Sequence, residues 1–207
     1  MTVLLGLVVA IKFTPTARRA LTRSKTKKEF ISAERVVLAA GAQSRKLGQT
    51  IGLDIPLLPR RKYVGVINGF GFDFPLIMEI PTGWYIKKEG ENMLIGMSGK
   101  EEETPYSKKE ESIDETISAS VYRFPETERC GLQKVLSSLS DETPDKHAII
   151  DDSIPGLIIA TGFSGHGFMH SPAAGKIVTN LVKGEKPIIN ISNLQLRREN
   201  IKERIAI

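Results

Sequence analysis

A glycine-rich turn between an apolar run and a proline constrains the fold of this chain more than any other part of its sequence. Residues 157–160, Leu-Ile-Ile-Ala, are apolar and lie between glycines, which predicts a short buried strand. Ser171 and Pro172 predict the N-cap and the first position of a helix, which would end at Lys183 and Gly184. The residues between the two elements are therefore expected to form a strand-to-helix turn.

This turn holds Gly162, Gly165 and Gly167 around one histidine, His166. Glycine tolerates positive φ and lets a flat or charged ligand approach the backbone, and the free N–H groups at a helix start can donate to a carbonyl or an anion. A second interpretation is an ordinary glycine-rich turn around a hydrogen-bonded core histidine. The chemistry of these residues alone leaves both interpretations open.

Composition indicates a globular protein. The chain has 207 residues, of which 41% are hydrophobic and 26% charged. The single cysteine, Cys130, excludes an internal disulfide framework and suits a reducing compartment, so a cytoplasmic location is predicted. No apolar run reaches the roughly 20 residues that a membrane-spanning helix needs, and residues 3–11 are interpreted as a buried strand.

Much of the net charge of +5 lies in a basic cluster between residues 18 and 28. No aromatic residue is interspersed among these charges, so the cluster is interpreted as a solvated hairpin region. Nucleic acid is therefore not expected as a partner, and no metal site is expected from the dispersed histidines.

Further runs predict the remaining architecture. A nearly all-apolar run at 34–40 predicts a strand covered on both faces, followed by a helix through Leu47. Four short runs between residues 62 and 97 predict an antiparallel sheet, and helices are expected at 112–123, 127–136 and 194–207. This order predicts an α+β fold with two intertwined domains. No G-x-G-x-x-G follows any strand, so the chain has no recognisable dinucleotide phosphate site.

Three motifs in order carry a family resemblance. "VVLAAGAQS" (36–44), "TPDKHAIID" (143–151) and the segment 156–187, which contains "ATGFSGHGF", together resemble the D-amino-acid oxidase–like FAD-dependent oxidoreductases, of the sarcosine oxidase and proline dehydrogenase type. "GWYIKKEGENMLIG" (83–96) is similar to the strands that roof the flavin in that group. The likeness covers most of residues 1–190.

The resemblance implies a partial FAD-binding α/β domain interrupted by an antiparallel β-sheet substrate domain. Residues 1–59 and 126–190 would belong to the FAD-binding domain, 60–125 to the substrate domain, and 191–207 to a charged tail. The family's N-terminal G-x-G-x-x-G half is missing from this sequence. Non-covalent FAD would therefore require that half from an N-terminal FAD-binding polypeptide, or the chain would act as a homo-oligomer.

The resemblance also assigns site residues. The helix after the turn would direct its N-terminus at the flavin ring, with His166 near the ring. The implied cofactor-binding residues are Gly41, Ala42, Thr161, Gly162, Phe163, Ser164, Gly165, His166, Gly167 and Phe168. The implied substrate-binding residues are Tyr85, Lys87 and Met169, and no catalytic residue is assigned.

Several positions depart from the family pattern. Met169 stands where some sarcosine oxidases have a lysine, and Leu94 falls near the lysine that promotes reaction with oxygen. Ser138 aligns near the cysteine that tethers flavin covalently. These departures favour dehydrogenation with another electron acceptor, and Lys87, Arg60 or Arg61 would have to bind a substrate carboxylate. Tyr85 has a second interpretation, as a sheet aromatic packed in the core.

The resulting hypothesis is oxidation of the C–N bond of a small amine or amino acid such as sarcosine, proline or glycine. The alternative is a non-catalytic remnant or structural subunit that needs an N-terminal partner to bind FAD. A nucleic-acid binder built on the basic cluster is the third and least favoured hypothesis.

Overall fold

A computed structural model describes residues 10–14, 21–25, 30–69, 73–98 and 109–198. They form two compact units, and the chain crosses between them twice. The first unit extends to Leu58 and resumes at Asp141, and the second comprises residues 59–140. The first contains a mixed sheet and the second an antiparallel one, so the predicted α+β fold is confirmed.

The regular elements follow in chain order. The strands are β1 (Ala10–Thr14), β2 (Leu21–Lys25), β3 (Phe30–Ala33), β4 (Val36–Leu38), β5 (Leu58–Asn68), β6 (Ile77–Glu79), β7 (Trp84–Glu89), β8 (Asn92–Gly96), β9 (Leu132–Glu142), β10 (Ile149–Asp151) and β11 (Leu157–Thr161). The α-helices are α1 (Ser44–Gln49), α2 (Lys109–Arg123) and α3 (Gly167–Lys183). Short 3-10 helices span Gly41–Gln43, Pro125–Arg129 and Ser192–Leu194.

The first unit is built around β11, the central strand of the order β10-β11-β4. β11 pairs antiparallel with β10 and parallel with β4, where Ile159 lies opposite Leu38. Leu157 and Ile159 pack into one core cluster and Ile158 into another, so both faces of the strand are covered. This burial explains why its sequence is continuously apolar rather than alternating. A second sheet, β1-β2-β3, is antiparallel.

Helix α3 covers one face of this sheet. Ala174, Ile177, Val178 and Leu181 recur at the helical spacing and pack with Ile158 of β11. The helix ends where the sequence predicts, because Gly184 adopts a left-handed φ of +75° that closes the last turn.

The second unit is a five-stranded sheet in the order β6-β7-β8-β5-β9, with α2 against one face. The pairs β6–β7, β7–β8 and β8–β5 are antiparallel, as predicted. Trp84 is buried on the α2 side, and its indole N–H donates to the Ser120 hydroxyl at 2.8 Å.

One predicted helix is wrong, and a second is wrong in the part of it that the structure describes. Residues 127–136 form the end of a 3-10 helix and the start of β9, because pairing with β5 overrides a helix-like spacing of leucines. Within the expected helix at 194–207, residues 195–198 are irregular, and the remainder lies outside the described residues. Residues 3–9 of the predicted first strand and the side chains of the basic cluster also lie outside them. In the part of the chain that is described, no helix has the length and apolar character needed to cross a bilayer.

Candidate functional site

The parallel pairing of β4 and β11 brings two turns to the same edge of the sheet. The 3-10 turn at Gly41–Gln43 follows β4, and the glycine-rich turn (residues 161–168, called the cofactor-side turn below because the family resemblance predicts a cofactor beside it) follows β11. The Thr161 hydroxyl lies 3.1 Å from the Gly41 carbonyl, to which it donates. Ligands of open α/β sheets bind at the carboxyl ends of the strands, which is where these turns lie.

Asp141 holds the cofactor-side turn from the end of β9. The Gly162 amide donates to Asp141 Oδ2 at 2.7 Å, and the Ser164 amide donates to the Asp141 carbonyl at 3.2 Å. Thr161 Oγ1 lies 3.3 Å from the same carboxylate oxygen. Sequence reasoning missed Asp141, because it lies 20 residues before the turn and no local motif connects the two.

The backbone of the turn is tightly constrained. Gly162 has φ +73°, and a Cβ on it would lie 2.5 Å from Thr143 Cγ2. Ser164 has φ +52°, a backbone conformation that a residue other than glycine adopts at a cost of about 1–2 kcal/mol. Its hydroxyl accepts a hydrogen bond from the Thr143 amide at 3.1 Å. Such strain persists only where the surroundings hold the backbone in place.

The start of α3 leaves backbone donors available. The helix begins at Gly167, with His166 as an N-cap that makes no side-chain capping bond. The first intrahelical bond is donated by His170 to the His166 carbonyl at 3.1 Å. The amides of residues 167–169 meet no acceptor within the described part of the chain. Phe168 and Met169 are 96% and 67% exposed, so an apolar surface surrounds these donors.

The predicted helix start at Ser171 and Pro172 is wrong by several residues. Pro172 lies inside the first turns of α3, where it cannot donate to the Phe168 carbonyl. The Ser171 hydroxyl donates to that carbonyl at 2.8 Å instead. Ser171 and Pro172 therefore lie within a helix that begins at Gly167, and the uncapped start of this helix lies in the glycine-rich segment.

The two histidines of this region lie on one side of the helix start. His166 and His170 are both exposed, and their rings stack with centroids 5.9 Å apart. The interpretation of His166 as a core histidine is therefore wrong. Its proximity to a flavin ring remains a prediction, as do the other assigned cofactor contacts, including Ala42 beside Gly41 and Phe163 and Gly165 within the turn.

Tyr85 and Lys87 belong to the second unit and share the sheet face turned away from α2. Tyr85 lies opposite Gly96, where an added Cβ would come within 2.4 Å of the tyrosine ring. Burial raises the pKa of the Tyr85 hydroxyl, and the nearby charge of Lys87 opposes that rise. Lys87 Nζ pairs with Glu89 at 2.6 Å, which partly neutralises it as an anion-binding group.

The other two cations proposed for a carboxylate lie on β5 of the second unit. Arg61 Nη1 donates to the Ser137 hydroxyl at 2.8 Å, and Arg60 is half-buried. Met169 belongs to the first unit, at the start of α3. The substrate-binding roles of Tyr85, Lys87 and Met169 remain predictions.

Sequence comparisons place the chain among flavoproteins. Residues 3–181 match the family model described as "DAO: FAD dependent oxidoreductase". The chain is 31% identical over 195 residues to FAD-dependent oxidoreductase domain-containing protein 1 of Xenopus laevis, covering 82% of this chain and 39% of that protein. It is 28% identical over 195 residues to monomeric sarcosine oxidase of Arthrobacter sp. (strain TE1826), covering 85% and 50%. The chain thus spans half or less of the length of these relatives.

The fold is shared with a solved structure. L-proline dehydrogenase from P. horikoshii superposes with a TM-score of 0.77 at 21% identity, over 91% of this chain and 53% of that one. At this identity the likeness establishes a common fold for the aligned half.

Proposed function

Because the chain belongs to the DAO family of FAD-dependent oxidoreductases, we propose that it forms part of an enzyme that oxidises the C–N bond of a small amine or amino acid. The names of two relatives, sarcosine oxidase and L-proline dehydrogenase, support this substrate class. FAD, when bound, would supply the two-electron oxidation that protein side chains cannot perform.

The observation that carries the proposal is the uncapped start of α3 beside the cofactor-side turn. Three amides that meet no acceptor among the described residues, and the positive end of a 17-residue helix, favour a ligand atom with negative charge. Exposed Phe168 and Met169 provide apolar contact for a flat ring. These residues fit the electron-rich pyrimidine edge of a flavin, and the neighbouring Gly41 turn extends the same surface.

We propose that Tyr85 and Lys87 contact the substrate. Tyr85 and Lys87 share one sheet face, and a hydroxyl and an ammonium group suit an amino acid's carboxylate. By the family resemblance, Met169 stands where some sarcosine oxidases have a lysine and Leu94 falls near the lysine that promotes reaction with oxygen, so we propose an electron acceptor other than oxygen. The part of the site that binds the ADP half of FAD would come from outside these 207 residues, from an N-terminal FAD-binding polypeptide.

A flavin-binding titration of the purified chain, followed by visible absorbance and fluorescence, tests the proposal. We expect saturable binding, followed by bleaching of the flavin absorbance when a suitable amine is added without oxygen. A folded, monodisperse sample that binds no flavin, even with a polypeptide carrying the G-x-G-x-x-G motif, would contradict the proposal.

A matched pair of variants localises the binding. Phe168→Asp places a carboxylate in the first turn of α3, where it competes for the free amides while favouring the helix. We expect it to weaken flavin binding at least tenfold without lowering stability. Ile188→Asp changes an apolar residue outside the turn that is also exposed, at 52% against 96% for Phe168, and should leave binding unchanged.

The second candidate is a non-catalytic subunit that has the family fold but does not oxidise amines or amino acids. The absence of G-x-G-x-x-G from the sequence and the replacement of two family lysines favour it. Flavin binding without amine-dependent bleaching, for every amine and amino acid of the class, would support this candidate over the enzyme.

A further inference from the structure

Arg198 uses all five N–H groups of its guanidinium. Nε and Nη2 donate to the two carboxylate oxygens of Asp145, both at 2.9 Å, and Nη2 also donates to the His147 carbonyl at 2.8 Å. Nη1 donates to the carbonyls of Leu194 and Gln195, both at 3.1 Å. The side chains of Arg198 and Asp145 are 8% and 4% exposed. A lysine has three donors on one nitrogen and cannot make this set of bonds.

A second carboxylate anchors the same segment, residues 194–198, which we call the strap. The Leu196 amide donates to Asp151 Oδ2 at 2.7 Å, and the Leu196 side chain packs against the core cluster that contains Leu157. The strap is therefore integrated into the first unit, although its sequence was interpreted as part of a charged tail. Sequence reasoning missed it because its partners lie about 50 residues earlier.

The strap holds the loop at residues 143–147, and this loop holds the cofactor-side turn. The Thr143 hydroxyl donates to the His147 carbonyl at 2.8 Å, which is the carbonyl that Arg198 also binds. The Thr143 amide donates to Ser164 Oγ at 3.1 Å, and the two hydroxyl oxygens lie 3.2 Å apart. An unbroken series of hydrogen bonds thus connects Arg198 to Ser164.

Both segments that this connection joins, the loop and the turn, contain a residue with a strained backbone. Lys146 (φ +59°) in the loop and Ser164 (φ +52°) in the turn are the two non-glycine residues with positive φ in the described ranges. Each costs free energy that neighbouring bonds must offset. We propose that Arg198 is a positioning residue for the cofactor-side turn, holding it through the loop at 143–147. The proposal rests on the proposed function only in assigning that turn to the flavin.

Hydrogen exchange measured residue by residue in the full chain tests this role. In Arg198→Met we expect the amides of Gly162 and Ser164 to exchange at least tenfold faster than in the wild type. The amides of Ile158 and Ile159 in β11 should change much less. Arg197→Met is the matched control, because Arg197 is the exposed neighbour in the same segment. Arg198→Lys should give an intermediate rate, since it restores the charge but not the five bonds.

Thr143→Val tests the same positioning role if Arg198→Met does not fold. Valine keeps the branched shape and removes the hydroxyl, so the bonds from Thr143 to the His147 carbonyl and to Asp145 are lost while the bonds from Arg198 to Asp145 are kept. We expect the same faster exchange at Gly162 and Ser164, and recovery in Thr143→Ser, which keeps the hydroxyl. Unchanged turn amides in Thr143→Val, or a uniform rise across the first unit in Arg198→Met, would overturn the positioning role.

Flavin titration of the same variants separates the two proposals. Loosened turn amides together with weaker flavin binding support both. Loosened turn amides in a chain whose flavin binding is absent or unaltered leave the positioning role standing and count against the cofactor assignment. Protected turn amides in Arg198→Met overturn the positioning role whatever the flavin affinity.

Discussion

The conformation of Ser164 in the cofactor-side turn is held by residues that are distant in the sequence. The Ser164 amide donates to the Asp141 carbonyl and its hydroxyl accepts from the Thr143 amide, and both partners are more than 20 residues away in sequence. Glycine's tolerance of positive φ was the expectation for the turn; Gly162 and Gly165 have positive φ, whereas Gly167 begins α3 and does not. The sequence did not predict Ser164, because local preference argues against that conformation and only tertiary contacts impose it.

Gly162→Ala should destabilise the first unit by more than left-handed strain alone. An added Cβ would lie 2.5 Å from Thr143 Cγ2 and 3.1 Å from Leu57 Cδ2. Gly52→Ala is the control, because Gly52 has nearly the same φ, +72° against +73°, with nothing within 4 Å. We expect about 1 kcal/mol of destabilisation at Gly52 and at least about 2 kcal/mol at Gly162, measured by urea unfolding. Equal losses would contradict the steric argument.

Asp145 should make stability depend on pH in the acid range. Burial alone would raise the pKa of its carboxyl, but hydrogen bonds from Arg198 and from the His147 amide lower it from 3.8 to about 2. Because the folded pKa is the lower one, the carboxylate's contribution is fully present above about pH 4 and is lost as the pH falls toward 2. The shift corresponds to about 2 kcal/mol.

The measurement is the free energy of unfolding of the wild type and Asp145→Asn between pH 7 and pH 3. We expect the difference between the two proteins to be largest at neutral pH and to shrink below pH 4. Asp152→Asn, at an exposed position, serves as control. A difference that stays constant across this range would show that the Asp145 carboxyl titrates alike in the folded and unfolded chains.

At the scale of single elements, the sequence correctly predicted the strands and helices whose buried residues follow a simple pattern. β11 is covered on both faces and continuously apolar, and α3 packs an apolar stripe against it, so both were identified. The start of β9 was mistaken for a helix, in which Leu132 and Leu136 would be spaced by four residues. Both are exposed, so their spacing does not reflect a buried face. The start of α3 was misplaced because Pro172 was assigned to the first helical position.

Ser171 should compensate for Pro172 within α3. Pro172 has no N–H to donate to the Phe168 carbonyl, and the Ser171 hydroxyl takes its place. We expect Ser171→Ala to lower the free energy of unfolding by about 0.5–1 kcal/mol in the wild type. In a Pro172→Ala background the backbone amide is restored, and the same change should no longer destabilise. A double-mutant cycle with no coupling would show that the hydroxyl has no such role.

At the scale of the whole molecule, the chain is about half of a family fold. Its relatives extend to roughly twice its aligned length, yet the described residues still assemble a turn, a helix start and a sheet face with defined geometry. Family membership and cofactor were predictable because three motifs occur in the expected order. The supports of the turn, Asp141 and Arg198, were not, since their contacts join segments that no sequence period relates.

The 207-residue chain should discriminate poorly among flavins. Its proposed contacts are to the ring, and its sequence has no G-x-G-x-x-G motif to bind a pyrophosphate. We expect the dissociation constants for FAD, FMN and riboflavin to agree within about threefold, and ADP not to displace riboflavin. Fluorescence quenching titrations measure this directly. FAD binding tenfold tighter than riboflavin would mean that residues beyond the cofactor-side turn bind the adenosine part.

The hydrogen bond between Thr161 and the Gly41 carbonyl spans 120 residues of sequence. A ribosome adding about 5–20 residues per second needs about 6–24 s to produce the second partner after the first. Residues 59–140 are synthesised before that moment, and the apolar strand β4 still lacks its parallel neighbour while they are made. The cofactor-side turn therefore acquires its bond to the Gly41 carbonyl only after residues 59–140 have been synthesised, and β4 is an expected point of chaperone contact until β11 emerges.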